Sequence, residues 1–197
     1  FRKEYGISPE AFLALFVGRL HEQKGVEVLL QAAKRLRGDD VSFVVVGSGH
    51  QEKKYKVLAK ELNVDNVLFT GEIAREDLLD AFASSDVFVL PSIFEGMPYV
   101  ILEAMAAGNP VVASRLPGLT EVIQEGKTGV LFEKGDDEGL AQAIRLLKRD
   151  RELARKMGGA GRRLVKDRFG WQVVFTKTIE TYGKVLERTC VEGRLER

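Results

Sequence analysis

Short apolar runs alternate with helix-like segments along the first two thirds of the chain. The runs end in Gly or Ser and cover residues 11–18, 41–47, 67–71, 87–92 and 109–114. Helix-like segments cover residues 26–36, 53–62 and 75–85, and a fourth contains Glu103. Apolar runs of this length that alternate with helices are typical of a parallel sheet covered on both faces. We therefore predict an α/β fold with a doubly wound, Rossmann-like parallel sheet.

The pattern changes after residue 115. A short strand is predicted at residues 129–132, and Asp136 or Asp137 could cap the helix that follows it. A charged helix interrupted by glycines is predicted from residue 150 to 166, and an amphipathic helix from 171 to 188. The apolar face of this last helix contains Trp171, Val174, Phe175, Ile179, Tyr182 and Leu186. We expect one domain over residues 1–197, with its core at about 11–150 and C-terminal helices at about 150–190.

Composition narrows the functional classes. The chain has 197 residues, of which 45% are hydrophobic, and a net charge of +1, so charge gives no argument for binding nucleic acid or an anionic membrane. A single cysteine and two histidines exclude an internal disulfide framework and argue against structural zinc. No apolar run is long enough to span a membrane, and no signal peptide is recognisable. We expect a cytoplasmic protein and, because no initiating Met is present, a piece of a longer chain.

The segment FEGMPYVILEAMAAG, residues 94–108, carries two carboxylates in apolar surroundings. Pro98 favours a first helical turn, which places Glu95 just before the helix and Glu103 inside it. Because the helix has almost no polar face, we predict that it is largely buried and that its carboxylate needs a partner. For Glu103 that partner is either a structural cation such as Lys24 or a ligand that brings hydroxyl groups.

The loop after the first strand carries Arg19 and Lys24, with Gly25 at the start of the next helix. Two cations beside a helix N-terminus suit a phosphate or diphosphate, although an ordinary solvated loop would look the same. His21 and His50 have no nucleophile motif near them, so we predict exposed loop histidines.

The segment VVVGSGH, residues 44–50, resembles a dinucleotide fingerprint only in part. Glu52 occupies the position of the third glycine, and the motif follows the second strand rather than the first. We expect Gly47 and Gly49 to form a tight turn, against the backbone of a ligand. There is no Walker loop or Asp-x-Asp pair. We therefore expect no metal and no cofactor, with side-chain cations and helix dipoles neutralising any diphosphate.

Three motifs stand in a characteristic order: VGRLHEQKG after the first strand, FTGEI at 69–73, and FEGMPYVILEAMAAGNPVVAS from residue 94. Together with the later PGLTEVIQEGKTGVLFEKGD, they resemble the C-terminal, donor-binding half of a retaining GT-B fold glycosyltransferase of family GT4, the glycosyl transferases group 1. Glu95 and Glu103 match the E-x7-E motif of that family, and the resemblance covers roughly residues 12–185. One departure is Pro117-Gly118, where members often have two glycines.

The resemblance implies a role for each matching residue. Arg19 and Lys24 would hold the diphosphate of a nucleotide sugar and stabilise the charge that grows on it as the glycosidic bond breaks. Glu103 would accept hydrogen bonds from the ribose hydroxyls and Glu95 from the donor sugar, and the usual front-face mechanism gives Glu95 no nucleophilic role. The implied catalytic residues are Glu95, Arg19 and Lys24. Main-chain groups complete the implied donor site: Gly96 and Met97 near sugar and phosphate, and Gly71, Glu72 and Ile73 around the base.

The resemblance also implies partners. The donor would be a UDP-, GDP- or ADP-sugar, and an N-terminal half would bind the acceptor, supply any catalytic His and mediate any membrane association. We therefore expect this chain alone to bind donor without efficient transfer. Two alternatives stay open, a non-catalytic nucleotide-binding or interaction module on the same fold, and another GT-B enzyme such as a nucleotide-sugar epimerase or a phosphorylase.

Overall fold

The structure is a computed structural model that describes the backbone of residues 1–195 and the side chains of residues 1–186. Its centre is a six-stranded sheet in which every neighbouring pair is parallel. The strands are β1 (Phe12–Val17), β2 (Val41–Val46), β3 (Val67–Gly71), β4 (Val87–Leu90), β5 (Val111–Ser114) and β6 (Gly129–Phe132). Their order across the sheet is β3-β2-β1-β4-β5-β6, which confirms the predicted doubly wound, Rossmann-like fold class.

Eight α-helices connect and extend this sheet within the described residues. They are α1 (Val26–Arg35), α2 (Glu52–Glu61), α3 (Arg75–Ser84), α4 (Tyr99–Ala107), α5 (Pro117–Thr120), α6 (Asp137–Arg149), α7 (Arg151–Phe169) and α8 (Trp171–Leu195). Helix α1 packs against α2 and α6, whereas α4 packs against α3 and α7. These two groups form the helical layers that leave the central strands β1 and β4 buried.

Side-chain caps fix the starts of the C-terminal helices. Asp136, one of the two predicted candidates, accepts a hydrogen bond from the N–H of Gly139 and begins α6. Asp150 does the same for α7 by accepting from the N–H of Leu153. Two short helical segments were not predicted, a 3₁₀ turn at Glu22–Lys24 and the four-residue α5, because neither is long enough to show a helical period.

The prediction that the helix carrying Glu103 is largely buried is wrong. Ile101, Ala104 and Met105 face the core, but Glu103 is exposed, and so are Ala106 and its neighbour Ala107. The apolar appearance of α4 comes partly from alanines, which bury little surface and are tolerated in contact with water.

Helix α8 has the predicted apolar face, but that face is exposed in the described structure. Trp171 is 87% exposed, and Phe175, Ile179, Tyr182 and Leu186 are each more than half exposed. None of the helices among the described residues combines the length and the apolar character that crossing a bilayer requires.

Candidate functional site

The candidate residues meet at the point where the strand order reverses. Strands β1 and β4 are neighbours at the centre of the sheet, and the chain leaves them in opposite directions toward β2 and β5. In open parallel sheets the loops beyond such a pair separate and form a crevice at the carboxyl ends of the strands. Arg19 and Lys24 lie in the loop after β1, whereas Glu95 lies in the loop after β4 and Glu103 in the helix that follows it.

Hydrogen bonds and a close backbone approach hold the two loops together. The N–H of Ile93 donates to the carbonyl of Gln23 at 2.8 Å, and the Gln23 side-chain amide donates to the carbonyl of Phe94 at 2.9 Å. Gly25 begins α1 with a left-handed φ of 65°, and a Cβ there would lie 1.9 Å from the Pro91 carbonyl oxygen. Glycine is therefore required for the start of α1 to approach the end of β4 so closely.

A partly buried ion pair also joins the two loops. The Lys24 ammonium lies 2.5 Å from Glu95 Oε1, and the side chains are 21% and 7% exposed. The Ser92 hydroxyl donates to the same oxygen at 2.7 Å. Lys24 thus pairs with Glu95 rather than with Glu103, so the structural alternative considered for Glu103 is wrong. The sequence could not reveal this pairing, because the two residues lie 71 positions apart.

Arg19 and Glu103 contrast with that pair. Both side chains are exposed, and within the part of the chain that the structure describes neither forms an ion pair or a side-chain hydrogen bond. Within the described residues, Arg19 in the loop before α1 is thus an unpaired cation and Glu103 on α4 an unpaired carboxylate. These charges remain available to a ligand that carries both an anionic group and hydroxyls.

The loops after β2 and β3 form a second pair. The N–H of Gly47 donates to the carbonyl of Gly71 at 2.8 Å, and the Ser48 hydroxyl lies 2.5 Å from Glu72 Oε1. Glu72 is exposed, and Ile73 is half-buried against the core. The segment at 71–72 therefore lies against the loop after β2.

Gly47 and Gly49 pack against the protein itself. A Cβ on Gly47 would lie 2.2 Å from the carbonyl oxygen of Gly18, and one on Gly49 would lie 2.4 Å from that of Leu20. The sequence interpretation set this turn against the backbone of a ligand, whereas in the structure it lies against the protein's own backbone. The glycines bring the loop that carries Arg19 against the loop after β2.

The two histidines lie at the surface, as predicted, but they touch each other. The rings of His21 and His50 are 4.8 Å apart, edge to face, and His21 Nδ1 accepts a hydrogen bond from the N–H of Gln23. Both side chains are exposed. Their contact was not predicted because they follow different strands.

Sequence reasoning did not single out Ser92 or Gln23, and it noted Gly118 only as part of a departure from the family pattern. Ser92 binds Glu95, and Gln23 bridges the loops. At Gly118 a Cβ would lie 1.6 Å from the carbonyl oxygen of Gly96, so the start of α5 closes against the loop that carries Glu95. Their position just after a strand marks such residues as possible members of a site, but only the fold shows which loops face one another.

Comparison with known proteins gives the family. The profile of the family described as glycosyl transferases group 1 matches residues 1–164. N-acetyl-alpha-D-glucosaminyl L-malate synthase of Bacillus anthracis is 38% identical over 188 residues, covering 94% of this chain and 49% of that protein.

Solved structures agree with this match. Sucrose-phosphate synthase of Thermosynechococcus elongatus superposes with a TM-score of 0.86 at 30% identity, covering 95% of this chain and 48% of that one. Anabaena HepE in complex with UDP-glucose superposes with a TM-score of 0.84 at 26% identity, covering 93% of this chain and 51% of that one. The chain thus spans about half the length of these proteins, and it belongs to the glycosyl transferases group 1 family.

Proposed function

We propose that residues 1–197 form the nucleotide-sugar-binding domain of a retaining glycosyltransferase, which transfers a hexose or related sugar from a nucleoside diphosphate to an acceptor. One observation carries this proposal. Arg19 and Lys24 follow β1 and precede the N-terminus of α1, whereas Glu95 and Glu103 follow the neighbouring strand β4, so both sets belong to the carboxyl ends of adjacent strands. A nucleotide sugar has the matching groups, with a diphosphate between two sets of hydroxyls.

The diphosphate lies against the cations in this proposal. Arg19 is exposed and has no partner among the described residues, and Lys24 reaches the crevice from the turn before α1. The N-terminus of α1 adds backbone N–H groups and the positive end of the helix dipole. These groups stabilise the charge that develops on the departing diphosphate, so no metal ion is needed for that step.

The carboxylates bind the hydroxyls. Glu103 is exposed on α4 and accepts two hydrogen bonds from the vicinal ribose hydroxyls. Glu95 accepts from hydroxyls of the donor sugar, while the main-chain N–H groups of Gly96 and Met97 lie near sugar and phosphate. The main chain of Gly71, Glu72 and Ile73 frames the base. Transfer proceeds at the front face of the sugar through an ion-pair-like intermediate, in which Glu95 is not a nucleophile.

The relatives support a nucleotide-sugar donor. Anabaena HepE, one of the structural neighbours, was solved in complex with UDP-glucose, and in another structure with UDP. The superposition on the UDP-glucose complex covers 93% of this chain. We propose a UDP-, GDP- or ADP-sugar as the donor.

The acceptor binds to a second half of the whole protein in this proposal. The chain spans 49% of the Bacillus anthracis relative and 48% of the sucrose-phosphate synthase chain. The exposed apolar face of α8 offers a surface for that half to cover. A site between two halves excludes water when they close, so donor binding belongs to this chain and efficient transfer to the two halves together.

Calorimetric titration tests the proposal. UDP, GDP, ADP and the matching donors UDP-glucose, UDP-N-acetylglucosamine, GDP-mannose and ADP-glucose are titrated into the chain with and without EDTA. We expect saturable binding of one nucleoside diphosphate and its sugar, with a dissociation constant that EDTA does not change, because cations and a helix N-terminus neutralise the diphosphate.

Two outcomes would contradict the proposal. A folded chain that binds none of these compounds would favour the alternative of an interaction module without a donor site. Loss of binding on chelation would show that a metal ion carries the diphosphate.

A further inference from the structure

Ser92 lies at the base of the crevice, two residues beyond the end of β4. Its side chain is 0% exposed, and its hydroxyl donates to Glu95 Oε1 at 2.7 Å. The chain on either side is fixed, since the Pro91 carbonyl abuts Gly25 and the N–H of Ile93 binds the Gln23 carbonyl at 2.8 Å. The direction of the Ser92 hydroxyl is therefore set by the two loops and not by solvent.

The donors around Glu95 are distributed unequally. The Lys24 ammonium at 2.5 Å and the Ser92 hydroxyl both bind Oε1. Oε2 has no hydrogen-bond partner in the described part of the chain. Each carboxylate oxygen has two acceptor sites, so a ligand hydroxyl finds its free acceptor at Oε2.

We infer that Ser92 is a positioning residue, which holds the Glu95 carboxylate with Oε2 directed toward the donor sugar. This inference rests on the proposed function, in which Lys24 binds the diphosphate and Glu95 binds the sugar. When Lys24 turns to the diphosphate, Ser92 is the described side chain that still donates to Glu95. Its fixed hydroxyl then keeps a nearly buried carboxylate in one orientation while the lysine exchanges partners.

A purely structural role would have a different consequence. If Ser92 only satisfied a buried oxygen, its loss would lower stability and weaken all ligands alike. A positioning role instead predicts a loss confined to ligands that carry the sugar. Ser114 provides the matched control, because it is also 0% exposed at the carboxyl end of a neighbouring strand, β5, and its hydroxyl has no partner among the described residues.

The test measures dissociation constants of Ser92→Ala, Ser92→Thr and Ser114→Ala by calorimetry. The probes are the nucleotide sugar that the wild-type chain binds, among UDP-glucose, UDP-N-acetylglucosamine, GDP-mannose and ADP-glucose, and its free nucleoside diphosphate. In Ser92→Ala we expect about fivefold weaker binding of the nucleotide sugar and less than twofold change for the diphosphate, as the loss of one hydrogen bond implies. Ser92→Thr keeps a hydroxyl and should restore most of the difference, and Ser114→Ala should change neither constant.

Each other outcome has a defined meaning. Equal weakening of both ligands in Ser92→Ala, or no change in either, would overturn the positioning role. Glu95→Gln separates this failure from a failure of the proposed function, because it should weaken the nucleotide sugar selectively even if Ser92 plays no part. If the wild-type chain binds no nucleotide sugar, or if Glu95→Gln has no selective effect, the assignment of Glu95 to the sugar fails, and this inference fails with it.

Discussion

At the scale of single residues, the crevice holds its charges in two ways. Glu95 is nearly buried and is neutralised by Lys24 and Ser92, so removal of one partner leaves a poorly solvated charge. Arg19 and Glu103 are solvated and have no partner within the described residues, so they can bind a ligand without first breaking an internal contact. The protein thus holds Lys24 and Glu95 in contact with each other before a ligand binds, whereas the side chains of Arg19 and Glu103 are unpaired among the described residues.

The tyrosine of α2 gives a prediction about stability. The Tyr55 side chain is fully buried, and its hydroxyl has no hydrogen-bond partner in the part of the chain described. Burial, together with the charges of Glu27 and Glu22, raises the pKa of Tyr55 to about 12. The unfolded chain therefore loses this proton first, near pH 10, and the corresponding stability falls as pH rises from about 10 to about 12.

Tyr55→Phe should remove this alkaline loss. We expect a free energy of unfolding at pH 7 that is unchanged or slightly higher, since the hydroxyl makes no bond, and about 1 kcal/mol in favour of the variant at pH 11. Urea denaturation at both pH values measures the difference. Tyr182→Phe, at an exposed position, should show no such widening, and an equal gap at pH 7 and pH 11 for Tyr55→Phe would contradict the role of burial.

At the scale of elements, close packing accounts for one of the two adjacent glycines in α7, the charged helix that begins at residue 151. On α7 a Cβ added to Gly158 would lie 1.9 Å from the carbonyl oxygen of Gly108, just beyond the end of α4. A Cβ on the adjacent Gly159 would have no neighbour closer than the Arg163 side chain at 3.7 Å. The two glycines therefore serve different purposes, although they look alike in the sequence.

Substitution of these neighbours by alanine should have opposite effects. Gly158→Ala must separate α7 from the end of α4, and we expect a loss of about 1–3 kcal/mol in the free energy of unfolding. Gly159→Ala should raise it by up to about 1 kcal/mol, because alanine restricts the unfolded chain and favours helix. Chemical denaturation of the pair measures both. Destabilisation by Gly159→Ala, or none by Gly158→Ala, would contradict the packing of α7 on α4.

The elements themselves could largely be predicted from the sequence, because each signal is local. Apolar runs that end in Gly or Ser gave five of the six strands, the short run at 129–132 gave β6, and an Asp before a periodic segment gave the cap of α6. Burial of α4 was overestimated because alanine counts as apolar whether or not it is covered. The contacts of Ser92 and the pairing of Lys24 could not be predicted, since they depend on which loops the sheet brings together.

At the scale of the whole molecule, one topological feature places the site. The strand order reverses between β1 and β4, which opens a crevice at their carboxyl ends. Two segments that are distant in the sequence follow these strands, one around residues 19–25 and the other around 92–103. The apolar face of α8 remains exposed, and the chain covers about half of its relatives. The proposal of a donor-binding half that works with an acceptor-binding half accounts for both observations.

The central claim is that this crevice binds a nucleotide with its diphosphate at Lys24 and its ribose at Glu103. The most direct measurement is calorimetry of Lys24→Ala and Glu103→Gln with the preferred nucleoside diphosphate and its free nucleoside. Lys3→Ala and Glu10→Gln serve as matched controls. Both residues are exposed and precede β1, so they belong to the amino-terminal side of the strands and not to the crevice at their carboxyl ends.

Lys24→Ala should weaken the diphosphate at least about tenfold and the nucleoside less than about twofold, because a charged hydrogen bond to phosphate is lost. Glu103→Gln should weaken both ligands to the same extent, by about 1–3 kcal/mol, because both carry the ribose. Equal losses for the two ligands in Lys24→Ala, or unchanged binding of both in Glu103→Gln, would contradict this account of the crevice.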